Sequence, residues 1–356
     1  MPRAPLRAVA LATALVLAAS ACGGGEADPE PSPSPTVAAS PEVPPPSPSP
    51  TETPDPATPR PLNGVGVPEG EDDMLERRVV AVKIDNHELA RPQTGIDHAD
   101  AVYELVVEAG LTRFIALFHA EDTVAGPMRS GRPSDPALLK PIGATFTISG
   151  AQGWVIDIIQ NAGVPLIGDI GPPVSFRSRN RPAPHNLYAD TTEIRAEADR
   201  RGYPDDAPPT WFTFVPWPDD LGQPAEDVSI GFSRSTTIAW SWDGEAYARS
   251  QNGQEHGLVT SDGDTRQITA DTLLVLETGL YTAQPPGSGT AVPAVDSVGS
   301  GRATVFSGGR VVEGTWERAT AEEPFQLRDA DGEVLPLPPG FLWISLLPSG
   351  RAISWS

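Results

Sequence analysis

Two short stretches hold the side chains best suited to gripping or transforming a negatively charged group. GPMRSGRPSD, residues 126–135, sets Arg129 and Arg132 three positions apart around Ser130, with Gly126 and Gly131 beside them. Arginine offers a planar fork of donors that fits a carboxylate or phosphate, and it keeps its charge when partly buried. Glycines would let backbone N–H groups approach the same anion. FRSRNRPAPHNLYAD, residues 176–190, carries Arg177, Arg179 and Arg181 at alternate positions, so an extended chain turns all three to one side. Pro182 and Pro184 stiffen the segment before His185, a residue type suited to general acid or base work near neutral pH. Asn186 would orient that histidine or donate to an oxyanion. The plainer alternative makes Arg129 and Arg132 structural partners of Glu104, Glu108 or Asp135.

A set of acids accompanies the bases. Asp85, Asp100, Glu104 and Glu108 lie on or beside three expected strands, and Glu104 and Glu108 share a strand face with Val102 and Val106. Carboxylates among such neighbours must be paired or used. Either glutamate would serve as the carboxylate partner of a catalytic His185. Asp85, His87, His98 and Asp100 are ligand types for a metal, but their spacing fits no metal signature, so no metal and no cofactor is expected. Ser130 with His185 lacks the G-x-S-x-G elbow of a serine hydrolase.

These residues need a scaffold. RVVAVKID (78–85), VYELVVE (102–108), TRFIALFH (112–119) and ATFTIS (144–149) read as strands, the middle two paired across Ala109-Gly110-Leu111. SDPALLKPIG opens with a Ser134 or Asp135 cap, GWVIDIIQNAG (153–163) has helical spacing, and TTEIRAEADRRG (191–202) carries a Thr191 or Thr192 cap. Seven of the eight tryptophans follow residue 205, which points to a separate core there. FTFVPW, VSIGF, TTIAWSW, TLLVLETGLYT, ATVFSGGRVVEGTWER and GFLWISLLP are short strand candidates, with SGGR (307–310) a hairpin turn. The expected fold is an α/β or α+β N-terminal domain over 76–203, followed by a mostly antiparallel β-rich C-terminal domain over 204–356.

The start of the chain gives an address. Arg3 and Arg7 precede an apolar run from Ala8 to Ala19, too short for an ordinary spanning helix, and the only cysteine, Cys22, follows small residues. Residues 1–22 therefore read as a lipoprotein signal with Cys22 as the lipidated residue, although Ala19 stands where leucine is usual. Residues 23–75 are rich in Pro and Ser, and no Phe, Trp or Tyr occurs before Tyr103, so this stretch reads as a disordered linker. The expected location is extracytoplasmic, on the outer face of the cytoplasmic membrane, attached through the lipid anchor. The formal charge of −22 argues against nucleic acid as a partner. It also makes a basic island more informative.

IDNHELARPQTGIDHADAVYELVVEAGLTRFIALF, GPMRSGRP and RPAPHNLY, in that order, resemble the YerB-like bacterial lipoproteins, whose two parts are a domain of unknown function (3048) and its C-terminal companion. GSGRATVFSGGRVVEGTWER and LPPGFLWISLLP resemble the companion, so the likeness spans roughly 77–350. The departures are modest: Met128 and Gly131 in the arginine block, and GAQGWVIDII where the family is richer in Gly and Ser. The resemblance implies a surface lipoprotein with an α/β first part and a β-rich second, and implies no activity. It directs attention to the blocks holding Asn86, Arg91, Arg113, Arg129, Ser130, Arg132, His185, Asn186 and Tyr188.

The reading that follows is a module binding an anionic envelope glycan or peptide through Arg129, Arg132, Arg177, Arg179, His185 and Asn186. The alternatives are an envelope hydrolase or transferase using His185 with Glu104 or Glu108, and a scaffold for a wall-synthesis protein. The partners expected are the membrane and a cell-wall polymer or wall-synthesis protein.

Overall fold

The structure, a computed structural model, describes residues 58–68, 70 and 72–356. The signal segment, Cys22 and the linker up to residue 57 lie outside the described residues. The fold begins earlier than residue 76. Leu62 and Val67 are buried, and the Trp211 indole N–H donates to the Leu62 carbonyl at 2.8 Å. The end of the Pro-rich stretch thus supplies a core residue.

The frame is a twelve-stranded mixed sheet. Val80–Asp85 (β1), Ala101–Val106 (β2) and Thr112–Phe118 (β3) are β-branched and aromatic runs that suit a pleated, buried surface. β2 and β3 pair antiparallel, joined by a turn in which Ala109 (φ 57°) and Gly110 (φ 71°) take left-handed conformations. β1 lies between β3, antiparallel, and Thr145–Thr147 (β4), parallel, with Leu166–Ile167 (β5) parallel at the edge. On the other side of β2 come strands from the second half of the chain: Thr272–Ala283 (β6), Gly299–Ser307 (β7), Arg310–Arg318 (β8) and Leu342–Pro348 (β9). The order is Gln223–Pro224, β8, β7, β6, β9, β2, β3, β1, β4, β5, with Val292–Asp296 pairing with β6 and Gln326–Arg328 with β8 off this path.

The expectation of a separate second core is corrected here. β9 pairs with β2 along its length, so the halves share one sheet and there is no separate core after residue 204. The described residues all fall in one compact unit. Within the second half the pairing is mostly antiparallel, with β6 and β9 running parallel. The molecule is predominantly β. FTFVPW forms no strand; Phe214 makes only an isolated bridge with Leu337. The hairpin at 307–310 is present, with Gly308 (φ 59°) and Gly309 (φ 69°) supplying the positive φ that its two-residue turn requires.

Side-chain alternation divides the core. Ala81, Tyr103, Leu105, Ile115 and Leu117 face one side, against the helices Asp135–Leu139 (α1) and Gly153–Asn161 (α2). Val80, Val82, Ile84, Val102 and Phe114 face the other, against Thr191–Arg200 (α3) and a second antiparallel sheet that includes Asp227–Gly231, Thr237–Trp242 and Tyr247–Gln251. α3 is capped by Asp190, whose carboxylate accepts from the Thr192 N–H at 2.9 Å, rather than by Thr191 or Thr192. Ser134 precedes α1 without a side-chain cap bond.

Candidate functional site

The parallel strands β1, β4 and β5 end on one side of the sheet, where β3 begins. Beyond the end of β1 the chain from Pro127 to Gly131 is laid in as a further strand-like segment. Asp85 N–H donates to the Pro127 carbonyl at 2.9 Å, Arg129 N–H to Lys83 at 2.8 Å, and Gly131 N–H to Gly150 at 3.1 Å. Between this segment, the 107–113 turn and the loop before Leu187 lies a cavity of about 390 Å³. Asp85, His87, Glu108, Arg113, Arg129, Ser130, Arg132 and His185 line it.

Asp85 is the hub. Its Oδ2 lies 2.7 Å from His185 Nδ1 and 3.2 Å from Arg129 Nε, and its Oδ1 accepts from the His87 N–H at 3.1 Å. A carboxylate only accepts, so Nδ1 of His185 carries the proton and, in the neutral ring, Nε2 keeps its lone pair. Nε2 has no hydrogen-bond partner among the described residues. The His87 ring stacks on His185 with centroids 4.6 Å apart, and its own Nδ1 accepts from the Leu89 N–H. Chain alternation explains the hub: Asp85 and Arg113 are register partners on β1 and β3, so their side chains share a face, and Lys83 precedes Asp85 on the same face.

Positive charge is in surplus here. Three guanidinium groups line the cavity against two carboxylates. Arg132 pairs with Glu108, and Arg113 donates to the Ser130 carbonyl at 2.8 Å. Burial, followed by the charge of Arg132, draws the Arg113 guanidinium down to about 10. Beneath them the fully buried Lys83 contacts Asp135 at 2.7 Å. Burial still pulls its ammonium down to about 8 against the attraction of Asp135, with Arg113 and Arg132 adding to the fall. Burial tends to raise the Glu108 carboxyl, but the hydrogen bond and charge of Arg132 hold it below the usual range. Arg129 spends only its Nε on Asp85; its terminal nitrogens have no partner among the described residues.

Several sequence-derived candidates lie elsewhere. Glu104 is not a partner of His185. It pairs in register with Phe114, on the sheet face opposite Asp85, and is fully buried among Arg249 (2.9 Å), Thr112 (2.7 Å) and the Trp343 indole (2.9 Å). Glu108 lines the cavity but engages Arg132, so the partner of His185 is Asp85 instead. Asn86 is buried, bonded to Thr112 and Gln251, and Arg91 folds back onto Asn86 at 3.1 Å. Arg177 is exposed and bonds Asp169 and Asn186, Arg179 is exposed, and Arg181 ties down the carbonyls of Leu89 and Arg91. Asn186 donates to Ser178, and Tyr188 stacks on Phe176 at 5.9 Å. Of the candidates in this group only Glu108 lines the cavity. The glycine expectation also fails: Gly126 N–H donates to Thr94, Gly131 N–H to Gly150, and the Arg132 N–H to Asp135 Oδ2, so these amides are already used. Among the described residues the Ser130 N–H has no partner, so a grip in this segment comes from side chains and that one amide. The proposed metal ligands separate, with His98 on Glu121 and Asp100 on the 119–120 backbone.

Asp85 and His87 are the cavity residues that reading by motif left unassigned to His185. Their signal was present in the sequence. The charged pair Lys83 and Asp85 alternates within an apolar strand, which marks one polar end on an otherwise buried face.

Among the described residues no helix is long and apolar enough to cross a membrane. Residues 65–204 match the family described as protein of unknown function (DUF3048), N-terminal domain, and residues 228–344 match its C-terminal domain. The chain is similar to YerB of Bacillus subtilis (strain 168), a protein named as a lipoprotein, at 27% identity over 312 residues, covering 83% of this chain and 88% of that one. It is also similar in fold to the crystal structure of YerB from Bacillus subtilis, with a TM-score of 0.71 at 23% identity, covering 83% of this chain and 99% of that one.

Proposed function

The chain belongs to the DUF3048 family, and from that premise we propose that it is an extracytoplasmic lipoprotein, anchored through Cys22, that binds an anionic group of an envelope glycan or peptide in the Asp85–His185 cavity. One observation carries the binding reading. Arg129 and His185 share a single carboxylate oxygen and both line the cavity, where the terminal nitrogens of Arg129 are still free to donate. A guanidinium whose terminal nitrogens have no partner in a half-closed site is an incomplete arrangement that an oxyanion completes. The cationic lining stands out in a chain whose formal charge is −22, so a local field attracts anions that the rest of the surface repels. The lipoprotein name of YerB and the signal-like start with Cys22 support the anchor.

Equilibrium binding of the full chain to anionic envelope fragments tests this. Arg129→Ala removes charge-assisted bonds and should weaken binding by about 1.5–3 kcal/mol, while Arg179→Ala leaves it unchanged. Equal affinity in the Arg129→Ala and parent proteins would contradict the reading.

A further inference from the structure

Holding an anion needs Arg129 and Arg113; it does not need Asp85 behind His185. The 2.7 Å contact to Asp85 fixes the proton on Nδ1 and leaves a lone pair on Nε2. A lone pair facing an anion repels it. The same geometry suits proton transfer. A carboxylate on Nδ1 orients the ring and stabilises the imidazolium that forms when Nε2 takes a proton. Arg129 lies on the same oxygen of Asp85, so base and guanidinium are fixed to each other by two polar contacts.

The surrounding groups select the substrate. Backbone N–H groups commonly receive the oxyanion in carboxylic ester hydrolysis. Here the amides of Gly126, Arg129, Gly131 and Arg132 are spent within the fold, which leaves in this segment the single Ser130 N–H rather than a pair of donors. Guanidinium groups remain, and these stabilise a transferring phosphoryl group, whose charge is spread over several oxygens.

We propose that the cavity is a hydrolytic centre for a phosphodiester, a reading that rests on anion binding at the same site. The non-bridging oxygens lie against Arg129 and Arg113. A water attacks phosphorus and gives one proton to His185 Nε2 as the new P–O bond forms. The bond to the leaving alkoxide breaks, and the imidazolium returns its proton to that oxygen. The products are a phosphomonoester and an alcohol, with no oxidant or further reactant. Asp85 is the positioning residue and His185 the catalytic one.

Hydrolysis of bis(4-nitrophenyl) phosphate by the full chain tests the proposal, with binding of inorganic phosphate measured separately. His185→Gly should lower turnover by about 100-fold or more, and added imidazole should restore part of it while phosphate binding persists. Arg179→Ala should turn over like the parent. Rescue reports on chemistry that a structural histidine would not supply, and an unfolding curve for His185→Gly shows whether it folds. If His185→Gly does not fold, His185→Gln replaces it, and turnover within twofold of the parent overturns the proposal. Phosphate binding that depends on Arg129 with no turnover in the parent overturns catalysis and leaves binding standing. Loss of both overturns both. Cleavage of 4-nitrophenyl acetate without cleavage of the diester overturns the substrate class.

Discussion

His185 Nδ1 lies 2.7 Å from Asp85 Oδ2, although the residues are a hundred positions apart in the chain. One comes from a loop before a short strand, the other from the last position of β1. That pairing fixes which nitrogen of the histidine reaches the cavity. It also ties the histidine to Arg129, and so links the 126–135 and 176–190 stretches through a third.

Removing the hub carboxylate should be costly. Asp85→Asn keeps the shape but leaves Arg129 without its counter-ion and forces a choice of rotamer at His185. We expect a stability loss of about 1–3 kcal/mol in urea unfolding. A loss below that range, with the affinity for phosphate unchanged, would show that Asp85 does not organise the site.

Glu104 should behave differently, because it lies on the other face. Glu104→Gln leaves Arg249 buried without its counter-charge, packed over Phe114, Trp240 and Trp343. Breaking one side of such a pair costs about 3–5 kcal/mol. Phosphate affinity of the folded fraction should be unaltered. A stable Glu104→Gln protein with lost affinity would place the glutamate in the site after all.

Acid stability should depend on His119. Its Nε2 lies 3.0 Å from the Arg77 carbonyl and donates to it, and burial, partly offset by that bond, draws the imidazole from its ordinary 6.5 down to about 4. The unfolded chain therefore binds the proton more readily between those values. Stability contributed by His119 is full above pH 6.5 and is lost as pH falls to about 4. At about 1.4 kcal/mol per unit the effect amounts to roughly 3 kcal/mol. Urea unfolding of the parent and His119→Gln across this range should show a shallower acid fall in the variant; parallel curves would refute the assignment.

Gly126→Ala tests how the arginine segment is seated. Gly126 has φ +155°, and a Cβ there would meet Tyr188 Cδ1 at 2.8 Å and the Leu187 carbonyl at 3.0 Å. The strain should cost about 1–3 kcal/mol and weaken phosphate binding by displacing the strand that follows His185. An alanine variant with parental stability and affinity would show that the contact is easily relieved.

Much of the scaffold could be read from the chain. The β2–β3 pair across Ala109 and Gly110, the hairpin at 307–310 and the helices at 153–161 and 191–200 follow from local patterning and turn residues. The convergence of Arg113, Arg129, Arg132 and His185 on one cavity followed the blocks that the family resemblance marked. What could not be read was set by neighbours distant in sequence. Glu104 and Glu108 look equivalent by spacing. One is turned onto the face that receives Arg249, and the other leaves the strand at a left-handed turn. Arg177 and Arg179 alternate as expected, but Arg177, at the end of the short strand 175–177, and Arg179, in the bend beyond it, are both exposed to solvent. The shared sheet was hidden for the same reason, since the pairing of β9 with β2 joins residues more than two hundred positions apart.

The most direct test follows the His185 ring nitrogens by NMR in the full chain, with labelled histidine, as inorganic phosphate is added. The account predicts that the Nε2 resonance of His185 moves in a saturable way, and that Arg129→Ala abolishes the movement while Arg179→Ala preserves it. A His185 resonance that stays fixed while phosphate binds elsewhere, or that moves equally without Arg129, would contradict the site.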